Sequence, residues 1–342
     1  MKFNRLYIEE GIVDKLVDEI ERLKQYVKRE TPVVIRHYKD IFSRYNQDLG
    51  QQKKNPSLIL AAKGPPYVFH WSRRCSGSES HGSGSYYVLP VMNCIMECEY
   101  CFLRGMYPTG NIVYFVNVDE VISGLKHFIH KHNVRYLALT YESDLLVLDQ
   151  ALNCVEPWLR LAREAPGTLF ELRTKAGNMG MARLLEESPL ENVILAWTIS
   201  PPEVAAAFEA GAPPFHARLM AMKAAIERGW KVRVCIDPIL YVELWEEIYG
   251  EAISTMFRKI DPSSIVEAHI GVFRMGKKHL KAARKRYPWS QLLHYPYELV
   301  DDTFTYPEDI RMQLIKGVTG VLLDFLPSDK IKHIGGEQWM PA

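Results

Sequence analysis

Several features are scarce in this 342-residue sequence, and each scarcity excludes a class of protein. No run of residues approaches the roughly 18 apolar residues that a membrane span requires. The N-terminal stretch MKFNRLYIEEGIVDKLVDEI has acidic residues where a secretory signal would be apolar. The net charge is only +1, so there is no global field to attract polyanions, and binding of nucleic acid would need a local patch. We therefore expect a cytoplasmic protein with no membrane partner.

Cysteine is also scarce, and its distribution is uneven. The sequence has six cysteines, and Cys94, Cys98 and Cys101 fall within eight consecutive positions. Evenly spaced cysteines of the kind that staple a small secreted domain are lacking, which favours a reducing compartment. The other cysteines are isolated along the chain, and they are Cys75, Cys154 and Cys235.

The chain divides by composition into three parts. Residues Gly11 to Arg29 have apolar positions at helical spacing among charges, which predicts an amphipathic helix. Residues 75–85, CSGSESHGSGS, are small and polar, which predicts a mobile loop or linker. We therefore predict an N-terminal extension and linker over residues 1–85, a main domain over 86–290 and a C-terminal segment over 291–342.

From Tyr86 onward, short β-rich runs alternate with helical stretches, as in repeated βαβ units with a parallel sheet. The runs are YYVLPV from Tyr86, VRYLALT from Val134, LFELRTK from Leu169, NVILAWTIS from Asn192, KVRVCIDPI from Lys231 and IVEAHIGVF from Ile265. This pattern fits either an open doubly wound sheet or a partial barrel. In both architectures the chemistry belongs at the C-terminal ends of the strands.

The cysteine triplet follows the first of these runs. Thiolates on a short loop hold zinc or iron–sulfur clusters, because soft sulfur donors suit both. A structural zinc site needs four ligands, and no second C-x-x-C pair follows, so it would have to recruit a distant histidine or cysteine. A cluster of four irons held by three thiolates instead leaves one iron open for a ligand that is not part of the protein.

The triplet, as Cys94, Cys98, Tyr100 and Cys101, closely resembles the cluster motif of the radical S-adenosylmethionine superfamily. In that superfamily the open iron of a [4Fe–4S] cluster binds the methionine moiety of S-adenosylmethionine. An electron from the cluster then splits the cofactor, and a 5′-deoxyadenosyl radical abstracts hydrogen from the substrate. The resemblance implies both cofactors and an electron donor such as flavodoxin or ferredoxin.

Within the superfamily, the chain resembles the spore photoproduct lyase family over most of its length. The stretches that carry the likeness are VLPVMNCIMECEYCFL from Val88, IVYFVNVDEV from Ile112, LTYESDLLVLD from Leu139, LRTK from Leu172, AGAPPFHARLMAM from Ala210 and CIDPILY from Cys235. The resemblance implies repair of damaged DNA by a lyase. We predict an α/β fold: a partial (β/α)6 barrel with an N-terminal extension and a C-terminal helical tail that begins at Tyr306.

The resemblance also nominates residues around S-adenosylmethionine. Ser143, Asp144 and Lys175 stand where the family places such groups, and Thr198 is a further candidate. A lysine at a strand end can neutralise a carboxylate, and the hydroxyl groups can bond the ribose or the amino-acid moiety. Tyr100 is expected beside the adenine, although packing of the loop would also explain it.

Two departures from the family pattern affect the step that quenches the product radical. Tyr141 stands where the family has its hydrogen-donating cysteine, and Phe102 replaces a tyrosine after the cluster motif. Tyr141 could donate the hydrogen itself. Cys235 could do so instead, because the two-residue period of a strand places it on the same face as Asp237; otherwise it is a small core residue. A third alternative is that no protein donor is needed, which would imply a different substrate or outcome.

Binding of nucleic acid is an open question at this stage. Residues 274–289, RMGKKHLKAARKRYPW, have seven Lys or Arg and no acid, which suits either phosphate contacts or a solvated helix face. Residues 295–310 have five acids and no Lys or Arg, where the family has a basic hairpin that enters the duplex. Further substrate candidates lie at strand ends, and they are Asp237, His269, which shares a face with Glu267, and Arg274.

These observations predict a radical S-adenosylmethionine enzyme of the lyase type that acts on damaged DNA, with a lesion that can differ from the thymine dimer. One alternative is an enzyme of the same superfamily that acts on a small molecule or a peptide. Another is a binding module without catalysis, in which a metal staples a loop.

Overall fold

The computed structural model describes residues 2–70 and 85–334. Residues 75–84 of the predicted loop, with Cys75, lie outside the described residues. Within the described residues, no helix combines the length and the apolar character that crossing a membrane would require.

The strands of the described residues belong to four sheets. Their bounds are β1 Phe3–Glu9, β2 Val27–Ile35, β3 Leu58–Ala61, β4 Val68–His70, β5 Ser85–Val88, β6 Val91–Met92, β7 Glu97–Cys98, β8 Ile112–Phe115, β9 Tyr136–Ala138, β10 Leu169–Thr174, β11 Val193–Thr198, β12 Glu209–Ala210, β13 Lys231–Ile239, β14 Ile265–Val272, β15 Arg274–Gly276, β16 Glu298–Val300, β17 Thr303–Thr305 and β18 Ile331–His333.

The helices mostly connect consecutive strands. Their bounds are α1 Val17–Lys24, α2 Lys39–Phe42, α3 Leu49–Lys54, α4 Leu103–Met106, α5 Val118–His132, α6 Leu145–Leu152, α7 Glu156–Glu164, α8 Asn178–Met181, α9 Pro202–Phe208, α10 Phe215–Glu227, α11 Trp245–Lys259, α12 Lys277–Arg286, α13 Gln291–His294 and α14 Glu308–Leu323. Short 3-10 turns cover Glu10–Lys15, Leu184–Glu186, Pro262–Ser264 and Ser328–Lys330.

The main sheet has the strand order β18-β14-β13-β11-β10-β9-β5-β4. All of its neighbouring pairs are parallel except the pair between β4 and β5. Six of its strands come from the six predicted β-rich runs, and helices connect them, so the predicted mixed α/β architecture is confirmed. The carboxyl ends of these strands therefore meet at one edge, where the loops that follow them gather.

A second sheet, not predicted from the sequence, has the order β2-β1-β3-β8-β6. Its strands β2, β1, β3 and β8 are parallel. The predicted helix from Gly11 to Arg29 is wrong at its C-terminal end, since α1 ends at Lys24 and β2 begins at Val27. Strand β3 pairs with β8, so the N-terminal residues share a sheet with residues of the predicted main domain. The division at residue 85 stays a prediction.

The C-terminal segment packs on the main sheet at β14 and adds one strand to it. Helix α14 packs against β14 and α11, and β18 extends the sheet beside β14. Before α14, β16 and β17 form a hairpin that pairs with β15. Asp301 and Asp302 form its turn with φ of 48° and 64°, the left-handed conformation of a tight hairpin turn.

Candidate functional site

The loop that contains the three clustered cysteines follows β6, at the carboxyl edge of the main sheet. It begins at Asn93, which has a φ of 71°. The Asn93 side chain donates to the carbonyls of Thr109 (2.9 Å) and Asn111 (3.0 Å), and its oxygen accepts from the Cys94 amide (2.9 Å). This asparagine therefore fixes the first cysteine to the segment that precedes β8.

Strand β7 places the second cysteine. Cys98 pairs with Glu209 of β12 in an antiparallel ladder, and the Cys101 amide donates to the Cys98 carbonyl at 3.1 Å. Helix α4 starts directly afterwards and packs on α12 at Gly105, where a Cβ atom would overlap the backbone of His279. The loop is thus held by two contacts, the pairing of β7 with β12 and the packing of α4 on α12.

The three cysteines line one pocket. Burial raises the pKa of Cys94 to about 12 and that of Cys98 to about 11, and it also raises the pKa of Cys101. The thiols are therefore neutral until a soft metal displaces their protons. Among residues 2–70 and 85–334, no group of three or more His, Cys, Asp or Glu side chains is arranged around a single metal ion.

Asp144 is bonded entirely to protein groups. Its carboxylate caps α6 by accepting from the Val147 amide (3.2 Å), and it accepts from the Thr174 hydroxyl (2.8 Å) and the Lys175 amide (2.7 Å). Burial raises its pKa, although these bonds oppose the shift. In this structure Asp144 fixes the C-terminal end of β10 and thereby the position of Lys175.

Two groups beside the cysteines are available to a ligand. The Lys175 ammonium lies 5.5 Å from the centroid of the Tyr100 ring, and none of the described residues accepts a hydrogen bond from it. The hydroxyl oxygen of Ser143 is buried without a hydrogen-bond partner among the described residues. A buried orphan hydroxyl and a free cation suit a bound ligand with acceptor and carboxylate groups, so these residues fit the amino-acid part of S-adenosylmethionine.

The Tyr100 hydroxyl is engaged in a buried network that sequence reasoning did not find. It donates to Glu209, which also accepts from Ser200 (2.7 Å) and from Arg218. The side chains of Glu209 and Arg218 are both 0% exposed. Burial raises the pKa of Tyr100 well above its usual value. Because the hydroxyl of Tyr100 is engaged in this network, only its ring could contact a ligand. The ring lies near Lys175, and this is the one observation that connects Tyr100 with the expected adenine site.

At the barrel mouth, two partly exposed arginines surround a buried carboxylate. Asp237 binds Arg173 at 2.8 Å and Arg274 at 2.6 Å. Burial would raise the pKa of Asp237, but the two arginines hold it well below its usual range. Arg173 also donates to Thr198 at 3.4 Å, so Thr198 faces the barrel interior. The sequence analysis did not select Arg173. The two-residue period that places Arg173 on the same face as Lys175, which directly follows β10, could have identified it.

Cys235 and His269 lie deeper in the barrel. Cys235 is 1% exposed, and it stands in register with Thr198 of β11 and with His269 of β14. His269 lies 3.2 Å from Glu267, which also pairs with Arg233 at 2.5 Å. Burial opposes ionisation of Glu267, but its bonds to His269 and Arg233 lower its pKa to about 2. These residues form an internal charged layer below the mouth.

Tyr141 lies in a different place, beside the cysteine loop. Its ring centroid is 4.3 Å from that of Tyr87 and 5.4 Å from that of Phe102, which directly follows Cys101. Tyr141 is partly exposed, whereas Cys235 is enclosed. The two candidate hydrogen donors therefore differ in their exposure to solvent.

The basic stretch and the acidic stretch are neighbours on the rim. Lys277, Lys278, Lys281 and Lys285 of α12 are exposed, and they define what we call the lysine face. The arginines of the same stretch bond protein groups instead: Arg274 binds Asp237, Arg284 binds the Leu293 and Tyr295 carbonyls, and Arg286 binds the Arg104 and Tyr107 carbonyls.

The acidic hairpin turn lies directly beside the lysine face. Asp301 and Asp302 are exposed, and the Asp302 carbonyl accepts from the Lys277 amide at 2.9 Å. The acidic residues of the turn therefore face solvent and do not form a buried wall.

Comparison with known proteins gives a consistent result. The sequence profile of the family described as "Spore photoproduct lyase" matches residues 73–298. A spore photoproduct lyase from Geobacillus sp. (strain Y412MC61) is 21% identical over 228 residues, which cover 64% of this chain and 66% of that protein. The chain therefore matches about two thirds of the length of this curated relative.

Solved structures of spore photoproduct lyase have the same fold. One, a mutant with bound AdoMet and dinucleoside spore photoproduct, has a TM-score of 0.79 and 18% identity, and the match covers 98% of both chains. Another, complexed with dinucleoside spore photoproduct, has a TM-score of 0.80 and 17% identity over 98% of this chain and 97% of that chain.

The profile match covers more than half of the chain, and the structures superpose over nearly all of it. The predicted family, partial-barrel fold and cofactors are confirmed. The chain belongs to the spore photoproduct lyase family, and it is a radical S-adenosylmethionine enzyme whose cofactors are a [4Fe–4S] cluster and S-adenosylmethionine.

Proposed function

We propose that this protein repairs a lesion in DNA by radical chemistry of the lyase type. The observation that carries the proposal is the meeting, at one edge of the barrel, of three pocket-lining cysteines with the free ammonium of Lys175 and the orphan hydroxyl of Ser143. When reduced, the cluster and S-adenosylmethionine together supply a 5′-deoxyadenosyl radical for hydrogen abstraction. The residues of this chain bind, orient and shield the reacting groups.

The roles of the cofactor-site residues follow from their contacts. Cys94, Cys98 and Cys101 hold the cluster, since all three line one pocket. Lys175 pairs with the carboxylate of S-adenosylmethionine, and Ser143 supplies a hydrogen bond that no protein group takes up. Thr198 is a weaker candidate, because its hydroxyl already accepts from Arg173.

The substrate proposal rests on the lysine face. Its four lysines project from one exposed side of a helix that packs on the cysteine loop, so a polyanion bound there would reach the barrel mouth. Two of the similar structures contain spore photoproduct lyase with a dinucleoside spore photoproduct. By this likeness we propose damaged DNA as the partner of the present chain.

The hairpin of residues 298–305 has a different role from a basic wedge. Asp301 and Asp302 at its turn repel phosphates, so the hairpin cannot grip the backbone of a duplex. DNA would instead be held from the lysine face, with the acidic turn limiting how far a backbone can advance over the mouth. The lesion that this arrangement admits can differ from the thymine dimer.

For the quench, we propose Tyr141 as the hydrogen donor. It is partly exposed and lies beside Phe102 of the cysteine loop, whereas Cys235 is enclosed among the charges of the barrel. The phenolic O–H can donate a hydrogen atom to a product radical without a thiol.

The substrate is tested with duplex oligonucleotides that contain a spore photoproduct, a nick or an abasic site, at several salt concentrations. The Lys277→Gln/Lys281→Gln variant is compared with Lys131→Gln/Lys259→Gln, which removes two exposed lysines from the C-terminal ends of other helices. Each lost phosphate contact reduces the slope of log K against log salt by about 0.9. Equal slopes in the two variants would reject the lysine face, and lack of binding to every oligonucleotide by the native chain would favour a small-molecule or peptide substrate.

The hydrogen donor is tested by the yield of repaired product for each 5′-deoxyadenosine formed. Tyr141→Phe is expected to lower this ratio by at least tenfold, while Cys235→Ala leaves it unchanged. The opposite result would move the role to Cys235. If neither variant alters the ratio, both donor hypotheses fail.

A further inference from the structure

A lysine from the N-terminal helix α3 reaches the pocket of the three cysteines. Lys53 lies on α3, 41 residues before Cys94, and its side chain lines the same pocket. Its ammonium donates to the Cys94 carbonyl at 2.7 Å and lies 3.3 Å from the Asn93 side-chain oxygen. Nothing in the cysteine motif or in the family resemblance pointed to this residue.

The placement of Lys53 is rigid because α3 is fastened to the same segment that fastens Asn93. Asp48 caps the helix by accepting from the Gln51 amide at 3.0 Å. Gln52 accepts from the Thr109 hydroxyl and the Gly110 amide, both at 2.9 Å. A Cβ atom at Gly110 would lie 2.8 Å from the Lys53 amide nitrogen, so only glycine permits this approach.

The charge of Lys53 is not cancelled by a neighbouring carboxylate. No carboxylate oxygen of the described residues lies within 4.0 Å of its ammonium, and the nearby Glu97 is paired with Arg104 at 3.6 Å. Arg104 itself donates to the Glu97 and Cys98 carbonyls. Lys53 is therefore a positive charge of the pocket that no carboxylate of the described residues neutralises.

We propose that Lys53 sets the reduction potential of the iron–sulfur cluster. Reduction adds one electron, and hence one negative charge, to a group held by three thiolates. A fixed cation in a pocket of low dielectric stabilises the added charge and raises the potential. The electron comes from a one-electron donor, and no proton is transferred. This inference rests on the cluster-binding part of the proposed function. Lys53 acts on the potential of the cluster through its charge and does not contact the substrate.

The test compares Lys53→Met with Lys54→Met in the reconstituted protein. Lys54 is the next residue of the same helix, has the same charge and is exposed. The cluster is titrated with dithionite at fixed solution potentials, and the reduced fraction is read from its paramagnetic resonance signal. We expect Lys53→Met to lower the ratio of reduced to oxidised cluster at least tenfold, a shift of about 59 mV for one electron. Lys54→Met should match the native chain.

Two further variants keep the inference open to refutation. Lys53→Arg retains the charge and should restore the native potential, whereas Lys53→Gln can still bond the Cys94 carbonyl and should show the lowered potential. The midpoint potential is a property of the clusters that are bound. It can therefore be measured even if a variant binds fewer clusters per chain. Equal potentials in Lys53→Gln and Lys54→Met would overturn the inference while leaving the proposed function intact. A native chain that binds no cluster would instead refute the proposed function.

Discussion

The buried pair of Glu209 and Arg218 provides the sharpest test of how the cysteine loop is held. Both side chains are 0% exposed, and Glu209 also accepts from Tyr100 and Ser200. Breaking a buried ion pair by removing one partner costs about 3–5 kcal/mol, because the other charge is left in a medium of low dielectric. We expect Glu209→Gln to lower the free energy of unfolding by about 3 kcal/mol, since the amide oxygen can still accept one bond.

Arg218→Met is expected to cost more, about 4 kcal/mol. It strands the Glu209 carboxylate, and it also removes the bonds from Arg218 to the Pro213 carbonyl (2.7 Å) and the Thr198 carbonyl (3.2 Å). In the double variant Glu209→Gln/Arg218→Met no buried charge is stranded. Its cost should therefore fall short of the sum of the two single costs by about 2 kcal/mol.

The assay is urea unfolding of the metal-free chain, followed by circular dichroism, with a surface pair as the control. Glu187 and Arg163 lie 2.5 Å apart, and each side chain is about one-third exposed. Glu187→Gln should cost less than about 1 kcal/mol. The reasoning is refuted if Glu209→Gln costs as little as the surface variant, or if the single costs simply add in the double variant.

Three further outcomes are expected. Gly105→Ala should separate α4 from α12 and cost about 3 kcal/mol, measured by urea unfolding, because its Cβ would overlap a backbone carbonyl that cannot rotate away; a cost below 1 kcal/mol would contradict this contact. Asp301→Asn/Asp302→Asn should tighten duplex binding several-fold at low salt, since asparagine keeps the turn geometry and removes two charges, and unchanged affinity would exclude the turn from the DNA surface. The depressed pKa of Glu267, about 2, means that its contribution to stability is complete above pH 4.5 and is lost as the pH falls from 4.5 to 2. Glu267→Gln should therefore flatten that part of the stability profile relative to the native chain, and a His269 variant that flattens it equally would identify the bond responsible.

The sequence determined those features that depend on local spacing. The cysteine motif requires only that three thiols share a short loop, and the two-residue period of a strand suffices to place Cys235 and Asp237 on one face. The six β-rich runs and their connecting helices likewise follow from short-range hydrophobic patterns. For this reason the fold class and the candidate cluster ligands could be predicted from local pattern, while the cofactors were implied by the family resemblance.

The errors and omissions have a common cause. The stretch from Gly11 to Arg29 has a helical pattern throughout, but pairing with β1 turns its last residues into a strand. The sequence did not separate the arginines of the basic stretch from its lysines on the helix, yet the backbone carbonyls that bind Arg284 and Arg286 come from other segments. Local pattern does not encode these partners, because they are distant along the chain.

Tertiary structure alone decided the electrostatics of the site. The contacts of Lys53 with Cys94, of Arg173 with Asp237, and of Glu209 with both Tyr100 and Arg218 join residues from different strands and helices. Charges and hydrogen bonds act through space over a few ångströms, so their effects depend on the packed arrangement of the chain. The sequence by itself determined which chemistry the chain can hold, and only the folded structure decided which charges surround it.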